Sequence, residues 1–441
     1  MINVALPEIM HDFQEELKRV DLIVVAYLMV ISITLVFWGR LGDTVGKGKI
    51  YAGGICLFGM GALLCSLSQN LWQLVLTRSI QACGAGMMMA TGPALIKLVT
   101  PVENLGKMLG LVGIATSAGL TCGPVISGYL LTHYSWRAIF FVSLPVSLLL
   151  ALLAIFGVLP KLTAFEKRHP FPFDWKGGIV WMLLVICSVC FFKVVGISII
   201  GTLLVTLLIA VLVVVFIRVE RHADRPILPL QLVSNRYFWT ATIAASLAFS
   251  ALFIVIILLP FFLKIILNYT PDAIGLTMMA LPVSLVLFSP LSGWIFDTTG
   301  SARYVSSTGL FLGAIAVCMM LRFGDQTSQA YIAFCLGLLG CGVSIFLTPN
   351  SASVLTRVQQ RFAGISAGIL ATARNFGMMS GAAIAGAGFT LAYRTIGHGK
   401  EYSAVDVQPE NFIGATHFLF IVALLLLAIG CGLSIMRQEQ V

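Results

Sequence analysis

Apolar runs of about twenty residues, each closed by a short polar connector, follow one another along the whole chain. After a short apolar opening, the runs cover Asp21 to Trp38, Tyr51 to Ser68, Leu71 to Val99, Leu105 to Thr132 and Ile139 to Leu159. A polar, proline-containing linker, "PKLTAFEKRHPFPFD" (160–174), precedes two close-spaced runs, Trp175 to Val195 and Ile197 to Ile217, with Gly196 as their break. A charged loop over 218–236 leads to six more, near 237–263, 273–296, 304–323, 329–355, 363–393 and 412–435. Each run is long enough to cross ~30 Å of hydrocarbon as a helix, which takes about 20 residues. The runs are apolar on every side, whereas barrel strands would alternate, and open strands in lipid would leave backbone groups unpaired. The pattern predicts an all-α polytopic membrane protein.

The opening "MINVALPEIMHDF" is apolar for only about ten residues, too short to cross as a helix. It lacks the basic front and small-residue cleavage site of a signal peptide. It reads as the last half of a span, which predicts thirteen full spans plus part of the first, N-terminally truncated.

Composition agrees with the pattern. Hydrophobic residues are 59% of the 441 and charged residues 10%; a soluble domain carries about 25% charged residues. The net charge of +9 lies in connectors and reads as orientation, so no nucleic-acid partner is predicted. Counting the partial span as one, connectors after even-numbered spans hold Arg40, Lys47, Lys49, Lys97, Arg218 and Arg357 among others. The opposite connectors hold roughly half as many basic residues, so the 39–50 connector is expected on the cytoplasmic side of a cell (inner or plasma) membrane.

Four stretches carry candidate chemistry. "GRLGDTVGKGKI" (39–50) puts Gly39, Asp43, Gly46 and Lys47 between two spans. Its glycines permit close helix ends and a tight reversal, and Asp43 is placed to accept from exposed backbone N–H groups. On residues alone this is a positive-inside hairpin with glycine stops. In "LTRSIQACGAGMMMATGPALI", Arg78 and Gln81 lie about two turns inside an apolar run, which is costly unless they face a polar interior. Snorkelling to the outer interface is the alternative. "GLVGIATSAGLTCGPVISGYLL" holds Gly119, Gly123, Pro124 and Gly128, a small-residue face for close helix contact with a proline bend. "TARNFGMMSGAA" (372–383) puts Arg374 and Asn375 deep in a late run.

Several chemistries lack a signal. Metal-ligand spacings are absent, and Cys187 and Cys190 sit in an apolar run, where thiols pack rather than react. Nothing resembles a phosphate-cradling loop, so an ion gradient or the substrate gradient is the expected energy source. Clustered acid, base or metal groups are missing, which argues against an enzyme.

The 39–50 stretch resembles motif A of the major facilitator superfamily, with Thr44 and Gly48 where basic residues are usual. The Arg78 stretch resembles motif B, and the Gly119–Gly128 stretch resembles motif C, associated there with antiporters, with Ser127 for a usual glycine. "ALP" (5–7), "SWRAIFFVSLP" (135–145) and 372–383 resemble strings of the fourteen-span drug:proton antiporter branch (EmrB/QacA-like). The resemblance implies a six-helix N-terminal half over 1–159 with its first helix partial, linkers and two inserted helices over 160–235, and a six-helix C-terminal half over 236–441. "SGWIFDTTGSARY" (292–304) echoes the 39–50 stretch, as an internal repeat requires.

The resemblance further implies secondary active export of amphiphilic compounds by proton antiport and alternating access, with the proton gradient and no cofactor. Expected partners are a small amphiphilic substrate and membrane lipid, with a periplasmic adaptor protein to be tested. It assigns gating to the motif A and C residues, and cavity or coupling roles to Arg78, Gln81, Arg374 and Asn375. Met87, Met88, Met89, Met278 and Met279 are candidate cavity lining, with ordinary helix packing as the other reading. Branch members carry an acid shortly before "NVALP", where this chain has only Met1 and Ile2. A start placed too late, or the absence of proton coupling, would explain that; otherwise Glu8 or Asp21 is the candidate proton acceptor. The alternatives are a facilitator-type importer or uniporter of a small metabolite and, further off, a non-transporting sensor or enzyme.

Overall fold

The computed structural model describes residues 1–100, 102–162, 174–195, 198–223, 235–357, 363–397 and 408–437. Most of the 160–174 linker and of the 218–236 loop lies outside the described residues. Among the described residues every regular element is a helix. In chain order these are α1 (Ile2–Phe13), α2 (Leu17–Val45), α3 (Lys47–Ser66), α4 (Leu71–Val99), α5 (Val102–His133), α6 (Arg137–Gly157) and α7 (Trp175–Val194). They continue as α8 (Ile199–His222), α9 (Arg236–Ile265), α10 (Pro271–Thr299), α11 (Ala302–Met320), α12 (Gln329–Arg357), α13 (Ala363–Ile396) and α14 (Pro409–Ile435). Twelve helices among the described residues are long and apolar enough to cross a membrane, and α5 is a further helix of 32 residues.

Polar residues at the run boundaries start the helices. Asn70, Asp174, Ser198, Asn235, Thr270 and Ser301 each accept a hydrogen bond from the backbone N–H three residues on, satisfying a donor with no partner inside its helix. Helix α10 ends on Gly300, at φ 65°.

The 39–50 stretch differs from the expected connector. Helix α2 continues to Val45 and α3 begins at Lys47, so Gly46 alone separates them, at φ 113°. Polar side chains do not stop a helix that has already left the hydrocarbon, and Asp43 and Lys47 pair one turn apart across the break. Asp43 therefore meets Lys47 and caps no helix.

Within the first part of the chain α4 packs on α3 and α2, and α3 on α6. In the last part α9 packs on α13, α14 and α12, and α11 on α12 and α14. Among the twelve apolar helices α9 is the most enclosed, with Phe238, Ile254, Leu258 and Phe262 buried. Helices α7 and α8 pack on each other, and α7 also touches α2 and α13, with the Trp181 indole donating to the Ser32 carbonyl at 3.1 Å. Outward, α8 shows apolar side chains such as Ile199, 82% exposed, a surface that suits lipid.

Candidate functional site

Arg78 is 8% exposed, so it does not snorkel. One of its nitrogens donates to Gln81 Oε1 at 2.6 Å, three residues along the same helix face. Its Cζ stands 4.0 Å from the Tyr27 ring centroid on α2 and 5.7 Å from that of Phe140 on α6. A guanidinium over aromatic faces gains cation–π attraction, which is strongest where water is excluded. Its Nε is buried without a hydrogen-bond partner among the described residues. The result is a cation held inside an apolar bundle by one amide and two rings. Tyr27 and Phe140 escaped the sequence reading because aromatic residues in apolar runs give no sign of what they face.

The glycines of the Arg78 stretch bring helices together. A Cβ at Gly84 would meet the Phe58 backbone at 2.5 Å, and one at Gly86 would meet Thr34 Oγ1 at 2.8 Å. Met87 and Met88 pack on Gly54, and Met278 is buried, so these three take the helix-packing reading rather than the cavity one. Met89 is exposed.

The motif C residues divide. Gly119 has open space around it, and Gly123 has only ordinary contacts. Gly128 lies against Pro271 and Asp272 of α10, where a Cβ would meet the Pro271 carbonyl oxygen at 2.7 Å. From the other side, a Cβ at Gly275 would meet the Pro124 carbonyl oxygen at 2.5 Å. Helices α5 and α10 thus cross backbone to backbone between the first and last parts of the chain. Gly39 likewise has open space, whereas a Cβ on Gly42 would meet Thr91 Cγ2 of α4 at 3.1 Å.

Two further contacts join the same parts of the chain. Glu8 of α1 pairs with Lys264 of α9 at 2.8 Å. Asp21, at a turn within α2, is 1% exposed and packs on Gly386 of α13, where any Cβ would collide with the carboxylate. All three contacts lie at helix ends remote from the 39–50 stretch. The seam is closed on that outer side.

Close by, Asp12 Oδ2 accepts from the Trp136 indole at 2.8 Å and from Arg137 at 3.0 Å, while Arg137 also donates to the Ser68 carbonyl at 3.1 Å. Asp12 lies beyond the apolar part of α1. The Trp136 hydrogen bond, with help from Arg137, holds its carboxyl below the usual carboxylate range against an opposing effect of burial.

Arg374 is half-buried, with a nitrogen 3.4 Å from Ser351 Oγ of α12. Asn375 is buried, and its amide nitrogen has no hydrogen-bond partner among the described residues. On the same helix Gly377 and Gly381 pack on the Ser246 and Ser250 backbones of α9, and Ser250 donates to the Gly377 carbonyl at 2.9 Å. The structure therefore keeps the two arginines apart, Arg78 among α2, α4 and α6 and Arg374 between α12 and α13. No group of three or more metal-ligating side chains occurs among the described residues.

Comparison with known families gives this helical bundle its place. The family described as the Major Facilitator Superfamily matches residues 1–382. The chain belongs to the major facilitator superfamily. This is a family of transporters and not of enzymes. Among facilitator relatives, the riboflavin transporter RibZ of Clostridioides difficile (strain 630) is 31% identical over 93% of this chain and 89% of its own. The multidrug resistance protein Stp of Mycobacterium tuberculosis (strain ATCC 25618 / H37Rv) is 27% identical over 88% of this chain and 72% of its own. A solved POT family transporter in complex with 5-aminolevulinic acid has the same fold, with TM-score 0.71, 14% identity, and coverage of 99% of this chain and 93% of its own.

Proposed function

We propose that this facilitator is a secondary active exporter of amphiphilic compounds, driven by proton antiport and belonging to the fourteen-span drug:proton branch. The observation that carries this reading is the outer seam. Helices α5 and α10 meet there through glycine backbones, and a buried carboxylate, Asp21, is shut into the same closure. Alternating access needs two bundles that close on one side through contacts able to part. A carboxylate buried when the outside is closed and wetted when it opens is a natural proton carrier. Asp21 fills that role here, and Glu8, already paired with Lys264, acts as a strut that breaks on opening. The two bundles are 1–159 and 236–441, with α7 and α8 inserted between them. Arg78 holds an anionic group of the substrate or biases the protonation of a nearby acid.

Similarity to a multidrug resistance protein supports the substrate class. Similarity to a riboflavin transporter favours a second reading, carriage of a planar polar metabolite. The test is transport in inverted membrane vesicles against intact cells. Energy-dependent accumulation of ethidium in inverted vesicles, abolished by a protonophore, supports export. Riboflavin accumulation by intact cells with no ethidium movement supports the second reading and defeats the first.

A further inference from the structure

On the basic face, the start of α9 and the ends of α12 and α14 enclose a recess of about 510 Å³ lined by Arg236, Tyr237, Thr240, Arg357, Met436 and Arg437, with Asn235 beside them. We propose that this recess is a phosphate-binding site occupied by the headgroup of an anionic phospholipid from the cytoplasmic leaflet.

Charge and shape both point to an anion. One ring, Tyr237, carries two guanidinium groups, Arg357 Cζ at 4.4 Å from its centroid and Arg437 Cζ at 5.8 Å. Two guanidinium groups on one ring gather positive charge and N–H donors at the recess, which suits a phosphate. The guanidinium fork matches phosphate oxygens two at a time. Arg437 is 1% exposed and fixed from behind, donating to Asn350 Oδ1 while the Asn350 amide donates to the Ala241 carbonyl at 3.3 Å. The cation is thus oriented before a ligand arrives. The Tyr237 hydroxyl is buried without a hydrogen-bond partner among the described residues, a donor that a phosphate oxygen would satisfy. None of the described lining residues is acidic. The first turn of α9 adds the positive end of a helix to the same recess.

Phosphate could come from a lipid or from solution, and the surroundings favour the lipid. Met436 is 56% exposed, its neighbour Ile435 on α14 is exposed too, and Ile243 is exposed two turns beyond Arg236 on α9. Polar recess and apolar wall together match a headgroup and its acyl chains. Basic recesses between helix ends on the cytoplasmic side are suited to anionic headgroups in this way. A bound lipid would tie together the inner ends of three helices of one bundle.

The test uses the purified full chain in detergent, with native mass spectrometry and thermal unfolding after addition of phosphatidylglycerol, phosphatidylcholine or inorganic phosphate. The variants are Arg236→Gln/Arg357→Gln, at two exposed side chains, and Arg236→Lys/Arg357→Lys. Wild type is expected to bind and be stabilised by phosphatidylglycerol over phosphatidylcholine. The Gln pair weakens that binding roughly 30-fold, while the Lys pair keeps the preference and inorganic phosphate gives no stabilisation. Arginine-dependent stabilisation by inorganic phosphate alone would overturn the lipid source. Equal phosphatidylglycerol binding by wild type and the Gln pair would overturn the site itself.

Discussion

Arg78 shows why residue type matters more than charge inside this bundle. Its guanidinium lies over Tyr27 and donates to Gln81 at the same time. A lysine ammonium in its place keeps the charge but loses the planar stacking and the fork. Arg78→Lys is expected to leave membrane insertion intact and cut transport about tenfold or more, and transport equal to wild type would remove Arg78 from the mechanism. Asp43 is a contrasting case, because its pair with Lys47 is partly exposed and such pairs add little to stability. Asp43→Asn should therefore barely move the unfolding temperature yet slow efflux, and normal efflux would reduce the pair to a topology signal. Asp12 adds a pH-dependent case. Its folded carboxyl titrates below the ordinary value of 3.8, so its stabilisation is full above that value and fades as pH falls through the folded one. The difference in unfolding temperature between wild type and Asp12→Asn is expected to be constant at neutral pH and to shrink in acid below about pH 4. A difference that grows in acid would contradict the hydrogen-bonded arrangement with Trp136 and Arg137.

Helices were legible in the sequence because lipid imposes length and composition on every span, and each apolar run coincides with an observed helix, overrunning it by three residues at most. Their ends were less legible. The residues at 39–45 look like a loop by composition, but α2 carries them as helix beyond the hydrocarbon until Gly46. Partnership between helices was the least legible feature. A glycine announces a close approach but not its partner, so Gly128 and Gly42 were visible while Gly275 and Gly386 were not. The small-residue density of "SGAAIAGAG" around Gly386 was the available signal for that contact. The α5–α10 crossing offers a direct test at this scale. Gly128→Val would force the backbones apart at the outer seam, where overpacking costs about 1–3 kcal/mol. Cysteines placed across the outer ends of α5 and α10 should crosslink efficiently in the otherwise wild-type chain and poorly with Gly128→Val. Unchanged crosslinking would mean that this crossing does not set the closure.

The whole molecule is a facilitator bundle whose first and last parts meet on the outer side, with the buried carboxylate of Asp21 at that contact and α7 and α8 packed together against its flank. In the proposed mechanism protons and substrate move in opposite directions through this seam, with Asp21 carrying the proton. Purified protein in proteoliposomes under an imposed pH gradient tests that claim most directly, with ethidium as substrate and a pH-sensitive dye reporting protons. Wild type should accumulate ethidium in the acidic compartment and release protons from it when ethidium is added. Asp21→Asn should still bind ethidium but lose both responses to the gradient. Ethidium movement at one rate with and without the gradient, and no proton flux on its addition, would contradict proton antiport.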